Sequence, residues 1–190
     1  MSALIIYAHP STAGHNPLIL ELVKKNLSDK KIDYEVLDLY KMKFNPILSE
    51  HEHYTSGHKE IMPEIKQIQE KMKSAGQLIF IYPVWWFSMP AILHGFFDRT
   101  LTSGFAFKYK YGIPLQLLRG LKAICFITSG GPKSYYSIVG NLPQRLIKST
   151  LRFNGIRVKV FQLFNCHKLT EVRKKKIEKL VKQGLRNIKA

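Results

Sequence analysis

The chain has 190 residues, enough for one sheet covered by helices on both sides, and its 45% apolar and 12% aromatic content excludes a disordered polar segment. A formal charge of +17, from 30 Lys and Arg against 13 Asp and Glu, favours anionic partners such as phosphorylated cofactors, nucleic acid or an acidic membrane surface, and selects none of them. The start "MSALIIYAHP" lacks the basic and small-residue pattern of a signal peptide, and the chain has no apolar run long enough to span a bilayer, so the expected location is cytoplasmic.

The run "LIIYA" at 4–8 predicts a strand ending at His9-Pro10, and Leu18, Ile19, Leu22, Val23 and Leu27 then share one helical face. "YEVLDL" at 34–39 alternates as a strand nearer a sheet edge does, and residues 40–58 show no steady period and predict a long loop. Ile61, Ile65, Ile68 and Met72 form a helical stripe, and the unbroken "LIFIY" at 78–82 predicts a fully buried strand. A helix over 90–101 suits Pro90 in its first turn, with Ser88 as a candidate cap. "KAICFIT" at 122–128 is a further strand, broken by Ser129-Gly130-Gly131-Pro132, and Leu142, Leu146, Ile147 and Leu151 mark the next helix. "IRVKVFQLF" at 156–164 alternates as a last strand, and the helix over 170–188 turns Ile177, Leu180, Val181, Leu185 and Ile188 inward with its Lys and Arg elsewhere. Strands interleaved with helices in this way imply one α/β three-layer domain over 1–190, with a five-stranded, largely parallel sheet.

In such sheets ligands bind outside the carboxyl ends of the strands. Three stretches end strands there. "HPSTAGHNP" precedes a helix whose free N–H groups suit an anion, although Ser11, Thr12 and Asn16 serve equally well as ordinary caps. "PVWWF" places flat side chains at a strand end. Trp86 reads most simply as core, yet two adjacent tryptophans point in different directions, so one faces a groove, a planar ligand or a second subunit. "TSGGPKSYY" has two glycines where a backbone can approach a ligand, followed by tyrosines whose phenols can donate to a developing oxyanion.

His51, His53 and His58 fit no ligand spacing, so no metal is expected. Cys125 and Cys166 read as reduced thiols, with Cys125 in the core. "RKKK" at 173–176 reads as a solvated helix face, and no nucleic-acid reading module accompanies it.

Several long motifs add to this: "LIIYAHP…N", "DLYKMKFNPIL" at 38–48, "YPVWWFSMPAILHGFFDR" followed by "GFAF", "SGG" with Tyr136, and "FNGI" at 153–156. Together they resemble the flavodoxin-like NAD(P)H:quinone oxidoreductases over nearly the whole chain. The resemblance implies a flavodoxin-like three-layer sandwich and a non-covalent flavin, FAD in preference to FMN because "AGHNP" keeps the small residue and asparagine of the FAD-binding members. It implies His9, Thr12, Gly14, His15 and Asn16 at the phosphates, Pro83, Val84, Trp85, Trp86 and Phe87 along the isoalloxazine, and Ser129, Gly130, Gly131 and Tyr136 at its other edge. It further implies a homodimer in which Phe105, Phe107 and Tyr109 reach the partner's substrate site. The reaction implied is a ping-pong, two-electron transfer from NADPH or NADH to a quinone or similar flat acceptor, with Tyr136 as the catalytic side chain. The histidine that the mammalian-type enzymes pair with that tyrosine is absent, since residues 137–142 read Ser-Ile-Val-Gly-Asn-Leu. Two other roles fit a flavin-binding relative: an accessory protein that regulates a membrane transporter, and a one-electron carrier, for which +17 is an unusual charge.

Overall fold

The strongest apolar runs become the middle of a sheet. In the computed structural model, which describes residues 2–53 and 60–189, the elements begin β1 (Ala3–Tyr7), α1 (His15–Asp29), β2 (Tyr34–Asp38), α2 (Pro63–Ser74), β3 (Gln77–Pro83) and α3 (Ala91–Thr100). They continue β4 (Phe107–Lys110), β5 (Ile113–Gln116), β6 (Lys122–Thr128), α4 (Lys133–Ile138), α5 (Leu142–Phe153), β7 (Arg157–Leu163) and α6 (Glu171–Leu185). The sheet has the order β2-β1-β3-β6-β7 with every neighbouring pair parallel.

Burial follows from that order. β1 and β3 are buried at every residue because helices cover both faces, whereas β2 and β7 at the edges alternate. α1 and α6 pack Ile19, Val23, Ile177 and Val181 on one face, against Ile5, Ile79 and Phe126. α2, α3 and α5 pack Ile65, Met72, Leu93, Phe96 and Ile147 on the other, against Ile6, Phe80 and Cys125. Among the described residues no helix is long and apolar enough to cross a membrane.

The long loop is tied down by one buried cation. Arg99 of α3 is 4% exposed, donates to Glu52 and to the Asn45 carbonyl at 2.8 Å each, and pairs with Glu64 at 2.8 Å. Burial works to raise the Glu52 carboxyl, but hydrogen bonds from Arg99 and Ser49 outweigh it and hold the pKa below its ordinary value. Gly95 lets the loop cross α3, since a Cβ there would stand 2.0 Å from the Pro46 oxygen.

Two local expectations differ from the structure, and two elements were not anticipated. α2 starts at Pro63, so Ile61 precedes it and is exposed. Ser88 caps nothing, because α3 begins after Pro90 without a side-chain cap. An antiparallel hairpin, β4 with β5, stands apart from the sheet and turns through Tyr111 and Gly112, both at positive φ. The short helix α4 follows the glycines of the β6 loop. The long-loop histidine His58 lies outside the described residues.

Candidate active site

The strand order reverses between β1 and β3, so the loops after β1, β3 and β6 share one edge of the sheet. Thr128, the last residue of β6, joins all three. Its Oγ1 accepts from Asn16 Nδ2 at 2.8 Å, and its carbonyl accepts from the Val84 N–H at 2.7 Å. Pro83 ends β3 directly opposite it.

In the first loop the N-cap of α1 is Gly14, at φ 117°, and no side chain caps the helix. The capping role considered for Ser11, Thr12 and Asn16 is therefore not taken up: Asn16 turns to Thr128, the Ser11 N–H donates to His9 Nδ1 at 3.1 Å, and Thr12 is exposed. The amides from Thr12 to Asn16 have no partner among the described residues. Behind them His15 Nε2 and Asn16 Oδ1 are buried without a hydrogen bond, a cost that native interiors rarely leave unmet. The His15 pKa lies below the ordinary 6.5, first through burial and then through the charges of Arg173 and His167.

The second loop is a two-residue hairpin. Trp85 and Ser88 exchange both backbone hydrogen bonds at 2.9 Å, with Trp86 and Phe87 between them at φ 51° and 60°. This turn type takes Asn-Gly or Gly-Gly by preference, and bulky side chains held there cost about 1–3 kcal/mol each. The core reading of Trp86 is overturned, because the side chain is 96% exposed, while Trp85 is 40% exposed. The Trp86 and Phe87 amides, like those of Gly130 and Gly131, have no partner among the described residues.

In the third loop, Ser129 is buried and bonded to the Leu163 carbonyl through its N–H, at 2.9 Å, and its hydroxyl, at 3.3 Å. Tyr136 is 7% exposed and sits among Phe87, Tyr135 and Phe164, with ring centroids 5.7–6.0 Å away. Gly130 is exposed, its backbone is not left-handed, and a Cβ there would meet only His167 Cε1, at 3.5 Å. Neither conformation nor packing within the chain therefore requires glycine at this position.

Of the hairpin residues, Phe107 lines a groove of about 580 Å³ with Leu101, Phe153 and Asn154, and Tyr109 is exposed. Phe105 differs from expectation: it is buried in this chain's own core beneath Lys73. Sequence reasoning placed Thr128 at the head of the third stretch without giving it a role, and it missed His167 and Arg173. Arg173 begins the "RKKK" run but is half-buried and donates to the Phe164 carbonyl at 2.8 Å, so it belongs with the β6 and β7 loops rather than to a wholly solvated face.

The three loops contain no acidic residue and offer unbonded amides, a neutral histidine and flat aromatic rings. Such a set fits a ligand with an anionic arm and a planar, electron-accepting head.

A family model described as "Flavodoxin-like fold" matches residues 1–188. An uncharacterized NAD(P)H oxidoreductase of Haemophilus influenzae is 36% identical over 86% of this chain and 83% of its own. The NAD(P)H dehydrogenase [quinone] 1 of Cavia porcellus is also 36% identical, over 82% of this chain and 65% of its own length. Among solved structures, the NAD(P)H:quinone oxidoreductase from Methanothermobacter marburgensis superposes with a TM-score of 0.87 at 26% identity, covering 98% of each chain.

Thr128→Val should lower stability by about 1–3 kcal/mol in chemical denaturation, because it strands the buried Asn16 amide, and Thr128→Ser should restore it. A second expectation concerns pH. Well above pH 6.5 His15 is neutral folded or unfolded and contributes nothing to pH dependence. Below that value the unfolded chain gains a proton that the folded chain takes up only at lower pH, so stability falls as pH falls. Thermal midpoints measured across this range should fall less steeply in His15→Gln.

Proposed function

The chain belongs to the flavodoxin-like fold family, and from that premise we propose that it is a flavin-dependent oxidoreductase transferring two electrons from NAD(P)H to quinones or similar flat acceptors. The observation that carries the flavin reading is Gly130, where space for a Cβ is left open beside unbonded amides although the protein itself does not need it. When bound, a flavin supplies the two-electron relay that no side chain here provides.

The chain's own residues supply the rest. The free amides of Thr12 to Asn16 at the positive end of α1 would hold the phosphate arm, His15 Nε2 would donate to it in the Nε2–H tautomer, and Asn16 Oδ1 would accept from a hydroxyl of the ligand. We favour FAD over FMN because Arg173 extends the positive corner beyond the helix terminus. The amides of Trp86, Phe87, Gly130 and Gly131 face a head group whose negative charge they stabilise, at no reorganisation cost because the backbone already holds them. Pro83, Val84, Trp85 and Ser129 set the ring's slot. Tyr136, fixed among three aromatic rings, is the side chain placed to donate a hydrogen bond as charge develops.

Donor and acceptor take turns in one slot, so the balanced sum is NAD(P)H, a proton and a quinone giving NAD(P)⁺ and a quinol. A homodimer fits this scheme. Trp86, Tyr109, Tyr111 and Ile113 are more than half exposed, an apolar load that a second subunit would cover while bringing its Phe107–Tyr109 hairpin to the slot.

The test is reconstitution with FAD or FMN, removal of excess, then anaerobic addition of NADPH or NADH followed by a soluble quinone. The visible flavin bands should bleach with the nicotinamide and return with the quinone. A protein that retains neither flavin sinks the proposal. Gly130→Val should keep its far-ultraviolet dichroism yet bind flavin roughly tenfold or more weakly. Tyr136→Phe should lower kcat by roughly a hundredfold at unchanged flavin affinity, and unaltered kinetics would remove its catalytic role.

A further inference from the structure

Ser88 uses every polar group it has. Its N–H and carbonyl close the Trp86–Phe87 turn against Trp85, and its Oγ lies 2.6 Å from Nε2 of His94. His94 stands on the first turn of α3, next to Leu93, which is fully buried in the core, and its own N–H bonds the Pro90 carbonyl. The pair thus runs from the Trp86–Phe87 turn, with both residues at positive φ, to a helix anchored in the core through Leu93 and Phe96.

A turn holding two aromatic residues at positive φ does not persist on its own two hydrogen bonds, because relaxed conformations without that strain compete with it. The Val84 amide fixes one flank of the turn to Thr128, and the Phe87 ring rests on Tyr135 and Tyr136 at 5.7 and 5.9 Å. The Ser88 flank has His94 as its side-chain anchor. Either hydrogen-bond direction suits the pair. A neutral ring can accept from the hydroxyl, and a ring protonated at Nε2 can donate to it.

We infer that His94 is a positioning residue that acts through Ser88 to hold the Trp86–Phe87 turn in its left-handed form, keeping both amides set for the cofactor. The cofactor part of this inference rests on the flavin reading above; the conformational part does not.

The chain carries its own probe, since its 2 tryptophans are Trp85 and Trp86. Near-ultraviolet dichroism and emission of the flavin-free protein therefore report tryptophan signals from this turn alone. Ser88→Ala and His94→Leu should both reduce the tryptophan dichroism and raise the flavin Kd roughly fivefold to tenfold, the effect of one lost hydrogen bond. His94→Gln, whose amide can reach the place of Nε2, should recover both signals.

The inference is overturned if Ser88→Ala keeps the wild-type tryptophan spectrum, or if His94→Gln is as impaired as His94→Leu. Should His94→Leu fail to fold, Ser88→Ala carries the test, because it removes a single oxygen. A wild-type protein that binds no flavin would overturn the functional reading, and the tryptophan spectra of the variants would still decide whether the pair holds the turn.

Discussion

Two hydrogen bonds converge on Thr128, and the candidate site depends on them. Through Oγ1 it holds Asn16 at the start of α1, and through its carbonyl it holds Val84 where the chain leaves β3. Each bond contributes only about 1 kcal/mol net, but a buried amide left unpaired costs more than a made bond returns. These contacts exist because β1, β3 and β6 lie side by side in parallel register and end at one edge. With another strand order the three loops would not meet, and their separate features would be a helix start, a tight turn and a Gly-Gly bend.

In much of the chain local preference and global fold agree: apolar runs are buried strands, Pro63 opens a helix, and the edges alternate. Single departures occur in several places, such as Tyr111 at positive φ and the orphaned Asn154 Oδ1. At the site they lie side by side: two adjacent aromatic residues sit where glycine is preferred, and the neighbouring residues His15 and Asn16 each bury a polar atom without a partner. Adjacent conflicts of this kind are the pattern expected when function rather than stability chose the residues.

Much of this was legible in the sequence, for physical reasons that can be named. Strand runs such as "LIIYA" and "LIFIY" carry the mark of burial on both faces, and "YEVLDL" and "IRVKVFQLF" carry the alternation of an edge, so the layer architecture and both edge strands could be read directly. The three loops were legible because Pro, Gly and aromatic residues interrupt those runs. The hairpin of β4 and β5 was passed over because each strand has only four residues and Pro114 interrupts the second, although Phe107-Lys108-Tyr109-Lys110 does alternate. The role of Thr128 was missed because its partner is far along the chain, Asn16 lying 112 residues away, and Arg173 was hidden in a run of like charges although its carbonyl partner, Phe164, is only 9 residues back. Ser88 looked like a cap since a serine near a helix start usually is one, and only the three-dimensional turn shows its hydroxyl directed to His94.

The left-handed pair at Trp86 and Phe87 has a consequence for how the protein would evolve. Asn-Gly in their place would relieve the strain and remove an exposed indole, so heat resistance and the aromatic surface pull these positions in opposite directions. A lineage bred only for survival at high temperature would drift toward small residues there, and one bred for turnover would keep the rings and gather its stabilising changes elsewhere. The turn is thus a local gauge of which pressure has shaped the chain.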